Sequence, residues 1–133
     1  MKNLILTLFV LAAFMLSALT ASPQQKTQDQ AINVEVIQFH TEHRCTSCLK
    51  IEKLSKETLT KYYPTIPFRL VNVEDKKNEK IAEQFEAAGS ALFLYNTKTG
   101  KKKNLTEFAF MKVGNEAAFD AELKKAIAEF IKS

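Results

Sequence analysis

Between Asn33 and Val73 the hydrophobic period changes twice, and this restricts the fold more than any other feature of the chain. Asn33–Phe39, NVEVIQF, alternates Val34 and Val36 with Glu35 and then turns apolar at Ile37 and Phe39, the pattern of a half- or fully buried strand. From Thr46 to Tyr62 the period becomes helical. Ile51, Leu54, Thr58 and Tyr62 fall on one face, with lysines and glutamates on the other. Pro64 ends that helix. Ile66–Val73, IPFRLVNV, returns to alternation, with Phe68, Leu70 and Val73 as the expected buried register and Val71 a weaker candidate. A strand, a helix and a strand in succession require a parallel pair joined by a right-handed crossover.

Downstream, Asp75 is a good N-cap for a second helix, KKNEKIAEQFEAA. Its expected apolar face is Ile81, Ala82, Phe85 and Ala88, and Gly89 is expected to close it. Ala91–Tyr95 reads as a short apolar strand, Asn96–Gly100 as a hairpin, and Asn104–Val113 as containing a further strand. After Gly114-Asn115, a last helix carries Phe119, Leu123, Ala126, Ile127, Phe130 and Ile131 as one stripe. The expected order is β-α-β-α-β-β-α. Helices on both faces of a mixed central sheet make a three-layer α/β/α sandwich.

Of the 133 residues, those at the N-terminus stand apart. Lys2 precedes the apolar run Leu4–Leu16, and small residues follow in SALTAS. This layout is a secretory signal peptide over residues 1–21, cut after Ala21. The alternative is an uncleaved membrane anchor, because Leu4–Ala21 just reaches the roughly 18 residues that a span needs. Residues 22–31, polar and without an apolar period, read as a linker, and residues 32–133 as a single domain. The expected location is therefore the periplasm or cell envelope. Loss of Lys2 takes the formal charge from +4 to +3. Lys76-Lys77 and Lys101–Lys103 sit beside turn signals with no aromatic interleaving, so they read as solvated turns and no nucleic-acid partner is expected. About 100 residues can bury one core, and a monomer is expected.

The two cysteines, Cys45 and Cys48, lie in HRCTSC, where the first strand hands over to the first helix. The N–H groups and dipole of a helix N-terminus stabilise an anion, so a thiolate there is populated near neutral pH. Cys45 is the expected nucleophile and Cys48 the resolving thiol, a redox-active disulfide that needs no bound cofactor. Arg44 and protonated His43 would favour the Cys45 thiolate, and the hydroxyls of Thr46 and Ser47 could donate to it. A purely structural staple is disfavoured, because so small a loop removes little unfolded-state entropy. The competing reading is a metal or metalloid site formed by Cys45, Cys48 and His43, with His40 on the same segment, including transient capture of a soft species such as trivalent arsenic.

Strand VEVIQF, then C-x-x-C opening a helix, then βαββα, resembles the thioredoxin-like fold family over about Ile32–Lys132. The resemblance implies dithiol–disulfide exchange with a protein partner. Three positions depart from the family pattern. Gln38 stands where thioredoxins carry a buried acid, and Ser90 where they carry a cis-proline facing the cysteines. The motif reads Arg-Cys-Thr-Ser-Cys, in place of Trp-Cys-Gly-Pro-Cys. More narrowly, FHTEHRCTSCLKIE with NLTEFAF is similar to an exported nitrophenyl compound nitroreductase subunit (ArsF-like) family, most clearly over Arg44-Cys45-x-Ser47-Cys48-x-x-Ile51-Glu52. That resemblance implies a role in handling aromatic arsenicals, with a second small thiol protein and a membrane electron donor or permease as partners. No flavin site is apparent in the sequence.

Overall fold

The computed structural model describes residues 33–133. The expected signal peptide and linker lie outside these residues. Strands β1 (Val34–His40) and β2 (Phe68–Asn72) are parallel and are connected through helix α1 (Thr46–Tyr62). A 3-10 turn (Lys76–Asn78) leads into α2 (Glu79–Gln84). Strand β3 (Ala91–Asn96) pairs antiparallel with β1, and β4 (Lys102–Asn104) pairs antiparallel with β3. Two helices follow, α3 (Thr106–Lys112) and α4 (Glu116–Lys132). The sheet order is β2-β1-β3-β4, so β1 and β3 are central.

The pleat sorts the core into two layers. Val34, Val36, Leu92 and Leu94 face α1, α3 and α4, where Ile51, Leu54, Ala109, Phe119, Leu123 and Ile127 complete the larger cluster. Ile37, Phe39, Val71 and Phe93 face the opposite way and are covered by Phe85 and Ala87. Since side chains alternate along a strand, β1 supplies both layers, and its run of apolar residues follows from that. This is the expected α/β/α sandwich with a mixed central sheet.

Three local expectations are corrected. The segment Asn104–Val113 is mostly helix: β4 ends at Asn104 and Thr106–Lys112 form α3. Leu105, Phe108, Ala109 and Val113 are spaced i, i+3, i+4 and i+8, a helical stripe that packs on the larger cluster. Strand β4 is a three-residue edge strand of two lysines and an asparagine, with no apolar residue to announce it.

In β2 the buried residue is Val71, while Leu70 is 37% exposed. Val71 is opposite Phe39 and shares its covered face, whereas Leu70 is opposite Gln38 near the sheet edge. The second helix is shorter than expected. It stops at Gln84, and the chain turns at Glu86, whose φ is +52°, so Ala87 rather than Ala88 is buried and Gly89 does not form the cap. The hairpin is as expected: Gly100 takes φ +75° and its N–H reaches Asn96 O at 2.8 Å.

Lysines of both clusters lie against neighbouring groups of the same chain. Lys77 pairs with Asp75 at 2.8 Å, Lys103 pairs with Glu129 at 3.4 Å, and Lys102 lies over the Phe85 ring and donates to Gln84 O.

Candidate active site

The crossover from β1 to α1 positions the two sulfurs. Cys45 is the N-cap of α1: its backbone is extended (φ −76°, ψ 156°), and its Sγ accepts the N–H of Cys48 at 3.1 Å. Cys45 O accepts from Leu49 N at 3.0 Å, the first intrahelical bond. No acidic residue occupies the first turn of α1, so the positive end of a 17-residue helix faces Cys45 without a competing carboxylate in that turn. Cys45 and Cys48 are joined by a disulfide with Cα atoms 5.1 Å apart. Cys45 is exposed, and Cys48 is buried at 3% exposure. Cys45 is thus the exposed member of the pair and Cys48 the buried one.

The described hydrogen bond to the Cys45 sulfur comes from the Cys48 backbone. In this disulfide form, among the described residues, neither the Thr46 nor the Ser47 hydroxyl bonds to it. Thr46 is exposed and Ser47 half-buried. His43 is exposed, and its backbone carbonyl accepts from Thr41 Oγ1 at 3.0 Å. His40 Nδ1 bonds to Thr41 O at 2.9 Å. Among the described residues no three His, Cys, Asp or Glu side chains converge as a metal site.

Arg44 does not stand as a free cation beside the thiols. Its Nη1 pairs with Glu52 Oε2 at 2.6 Å, and Lys56 Nζ reaches Glu52 Oε1 at 2.5 Å. Burial pushes the Glu52 carboxyl up, but hydrogen bonds from Lys56 and Arg44, with their charges, outweigh it and hold the group below its ordinary range. Because the folded value is depressed, the stabilisation is present above the unfolded value and is lost as pH falls through the folded one. Glu52→Gln is therefore expected to be less stable than the native chain at pH 7, with the gap closing toward pH 3. Urea midpoints at the two pH values check this, and a gap independent of pH would contradict it.

Two residues distant in sequence meet Cys48. Gln38, 2% exposed on β1, donates from Nε2 to Cys48 O at 2.8 Å, while its buried Oε1 has no hydrogen-bond partner among the described residues. Gln38 therefore fixes the backbone of the first helical turn and carries no ionisable group. Ser90, just before β3, places Oγ 3.2 Å from Cys48 Sγ. Ser90 also lines an open pocket of about 460 Å³ with Gly89, Phe93, Lys102, Asn104 and Thr106. Sequence reasoning singles out both positions as departures from a family pattern but assigns neither of these bonds. The Arg44–Glu52 pair is likewise unassigned there, although both residues fall inside the motif that carries the narrower resemblance.

Among known proteins, no family model and no curated protein matches the chain. Among solved structures, the chain is similar to the thioredoxin of Fasciola hepatica, at 19% identity and a TM-score of 0.47 over 80% of this chain and 88% of that one. It is also similar to a malarial protein, at 22% identity and a TM-score of 0.42 over 60% of this chain and 94% of that one. The thioredoxin-like arrangement is carried by the molecule's own topology: a parallel β1–β2 crossover, antiparallel β3 and β4, and a C-x-x-C disulfide at the N-terminus of the crossover helix.

Proposed function

We propose that the protein is an exported thiol-disulfide oxidoreductase that works as an electron relay. The observation that carries this reading is the Cys45–Cys48 disulfide at the start of α1, with Cys45 exposed and Cys48 buried. In the reducing direction the Cys45 thiolate attacks a partner disulfide. A Cys45–partner bond forms and one partner sulfur leaves as a thiol. Cys48 then attacks Cys45, the mixed disulfide breaks, and the partner leaves fully reduced. Two electrons have moved from the Cys45–Cys48 pair to the partner. The location rests on the signal-peptide layout of residues 1–21.

The finer assignment is to electron delivery for reduction of nitroaromatic or arsenical compounds, with a membrane donor or permease and a second small thiol protein as partners. The support for it is the motif Arg44-Cys45-x-Ser47-Cys48-x-x-Ile51-Glu52, whose two charged ends are joined by the 2.6 Å ion pair. The experiment is to trap Cys48→Ser in cells, where the resolving step is blocked, and to identify what is bound to Cys45. A single membrane protein or small thiol protein is the expected capture. Many unrelated exported proteins would indicate a general oxidant instead. A native chain whose disulfide is neither reduced by dithiothreitol nor reformed by a disulfide donor would overturn the redox reading.

A further inference from the structure

Every resolving thiol must lose a proton before it attacks, and Cys48 is buried at 3% exposure. The side chain beneath it on β1 is Gln38, an amide that cannot take up a proton in the physiological range. Gln38 bonds the Cys48 carbonyl, and among the described residues the side chain hydrogen-bonded to the sulfur is Ser90, whose Oγ is 3.2 Å from Cys48 Sγ. In the disulfide Cys48 Sγ has no hydrogen, so the hydroxyl is the donor in this bond. Ser90 is half-buried and borders the open pocket that Asn104 and Thr106 also line. It is therefore in contact with both the buried sulfur and a solvent-accessible space.

We infer that Ser90 is a catalytic hydrogen-bond partner of the resolving thiol, donating to the Cys48 sulfur as it becomes a thiolate and linking that sulfur to solvent in the pocket. The inference rests on the redox reading above and adds a role that a proline at this position could not fill, since proline has no hydroxyl. In the resolving step the Cys48 proton leaves by way of the hydroxyl and pocket water. The sulfur lone pair attacks Cys45 Sγ, the Cys45–partner bond breaks, and the partner leaves as a thiolate that takes up a proton from solvent. The partner disulfide is the only oxidant required.

The groups around Cys48 define what else could move its titration. On the loop and α1 they are His43, Arg44, Lys50 and Glu52, with Arg44 and Glu52 paired and Lys50 held by Glu116 of α4 at 3.2 Å. On β1 they are the neutral Gln38 and, two residues along the same face, His40, whose Nδ1 is bonded to Thr41 O. Beyond Ser90 the pocket brings Glu86 and Lys102. The Ser90 hydroxyl contacts the sulfur directly, so its removal is a local change that leaves these charges in place.

The test uses the full chain in a Cys45→Ser background, where Cys48 is the one remaining thiol of the two in the sequence. Thiolate absorbance against pH is read for this background alone and with Ser90→Ala or Ser90→Thr added to it. Loss of a hydrogen bond to a charged group is expected to raise the Cys48 pKa by about one unit in Ser90→Ala, and Ser90→Thr is expected to restore it. With both cysteines present, Ser90→Ala is expected to form the mixed disulfide at the native rate and to resolve it about tenfold more slowly at pH 7, with the pH profile moved to higher pH. Thermal unfolding confirms that each variant is folded, and Ser90→Thr carries the test if Ser90→Ala is not, a native-like profile supporting the role and a profile shifted to higher pH opposing it. An unchanged Cys48 titration and resolution rate in folded Ser90→Ala overturns the role of Ser90 while leaving the redox reading intact. A native chain that does not cycle at all overturns both.

Discussion

Cys45→Ser is expected to abolish dithiol–disulfide exchange, by on the order of a thousandfold or more, while leaving the fold in place. The size of the effect follows from the asymmetry of the site. Cys45 is exposed and caps α1, where the Cys48 N–H already points at its sulfur at 3.1 Å. The same N–H and the helix dipole stabilise a thiolate there when the disulfide opens. A serine hydroxyl at this position remains protonated near neutral pH and is a poor nucleophile toward sulfur. Serine is also a good N-cap, so the helix start is preserved. The measurement is the rate at which the reduced protein transfers electrons to a small disulfide, followed beside a thermal unfolding curve. Residual exchange within tenfold of the native rate would show that Cys48 acts alone and would reverse the assigned order of attack. Cys48→Ser is expected to behave differently, retaining the first step and accumulating the mixed disulfide, because the exposed sulfur is intact.

The second large effect is expected in the core that supports the site. Phe39 is fully buried near the end of β1, with ring centroids 5.2 Å from Phe85 and 5.8 Å from Phe93, the latter edge-on. Phe85 and Phe93 themselves meet at 5.1 Å, so three rings close the smaller core cluster. Phe39→Ala removes one of these rings, and two ring contacts go with it. A cost of about 3–5 kcal/mol is expected, against a stability of about 5–15 kcal/mol for a domain of this kind. Urea unfolding reads it as a lower midpoint at unchanged slope, and the melting temperature should drop by at least about 12 °C. A loss under about 1 kcal/mol would mean that this cluster is not packed as described.

How much of the fold is legible in the sequence depends on how each segment is buried. Strand β1 and helix α1 announce themselves because their apolar periods match one buried strand and one half-buried helix. Helix α4 does so for the same reason, with its six stripe residues all buried. The region after the hairpin does not. There the pairing residues of β4 are polar, whereas the apolar residues Leu105, Phe108 and Ala109 lie at the start of and within the next helix. A short apolar run cannot reveal by itself which of two neighbouring elements owns it. The register of β2 departs from its alternation for a related reason. Edge strands have one strand neighbour, so Leu70 can remain substantially exposed while Val71 is buried in the cluster with Phe39, Phe85 and Ala87.

The sequence by itself determined where the exposed cysteine sits. A strand that ends before C-x-x-C, followed at once by a helical period, places Cys45 at a helix N-terminus, and the anion preference of that terminus is a local property of the backbone. It also determined the asymmetry between the cysteines, since a residue three positions into an amphipathic helix can turn toward the core. The tertiary structure alone decided what surrounds Cys48. Ser90 lies 42 residues away in sequence and Gln38 lies 10 away, and they reach the same cysteine only because β3 and β1 pair side by side beneath α1. No local period or propensity carries that information, because a contact across the sheet depends on strand order and register. Those long-range pairings put a serine hydroxyl against the buried sulfur of Cys48 and an amide, with no ionisable group, against its backbone carbonyl.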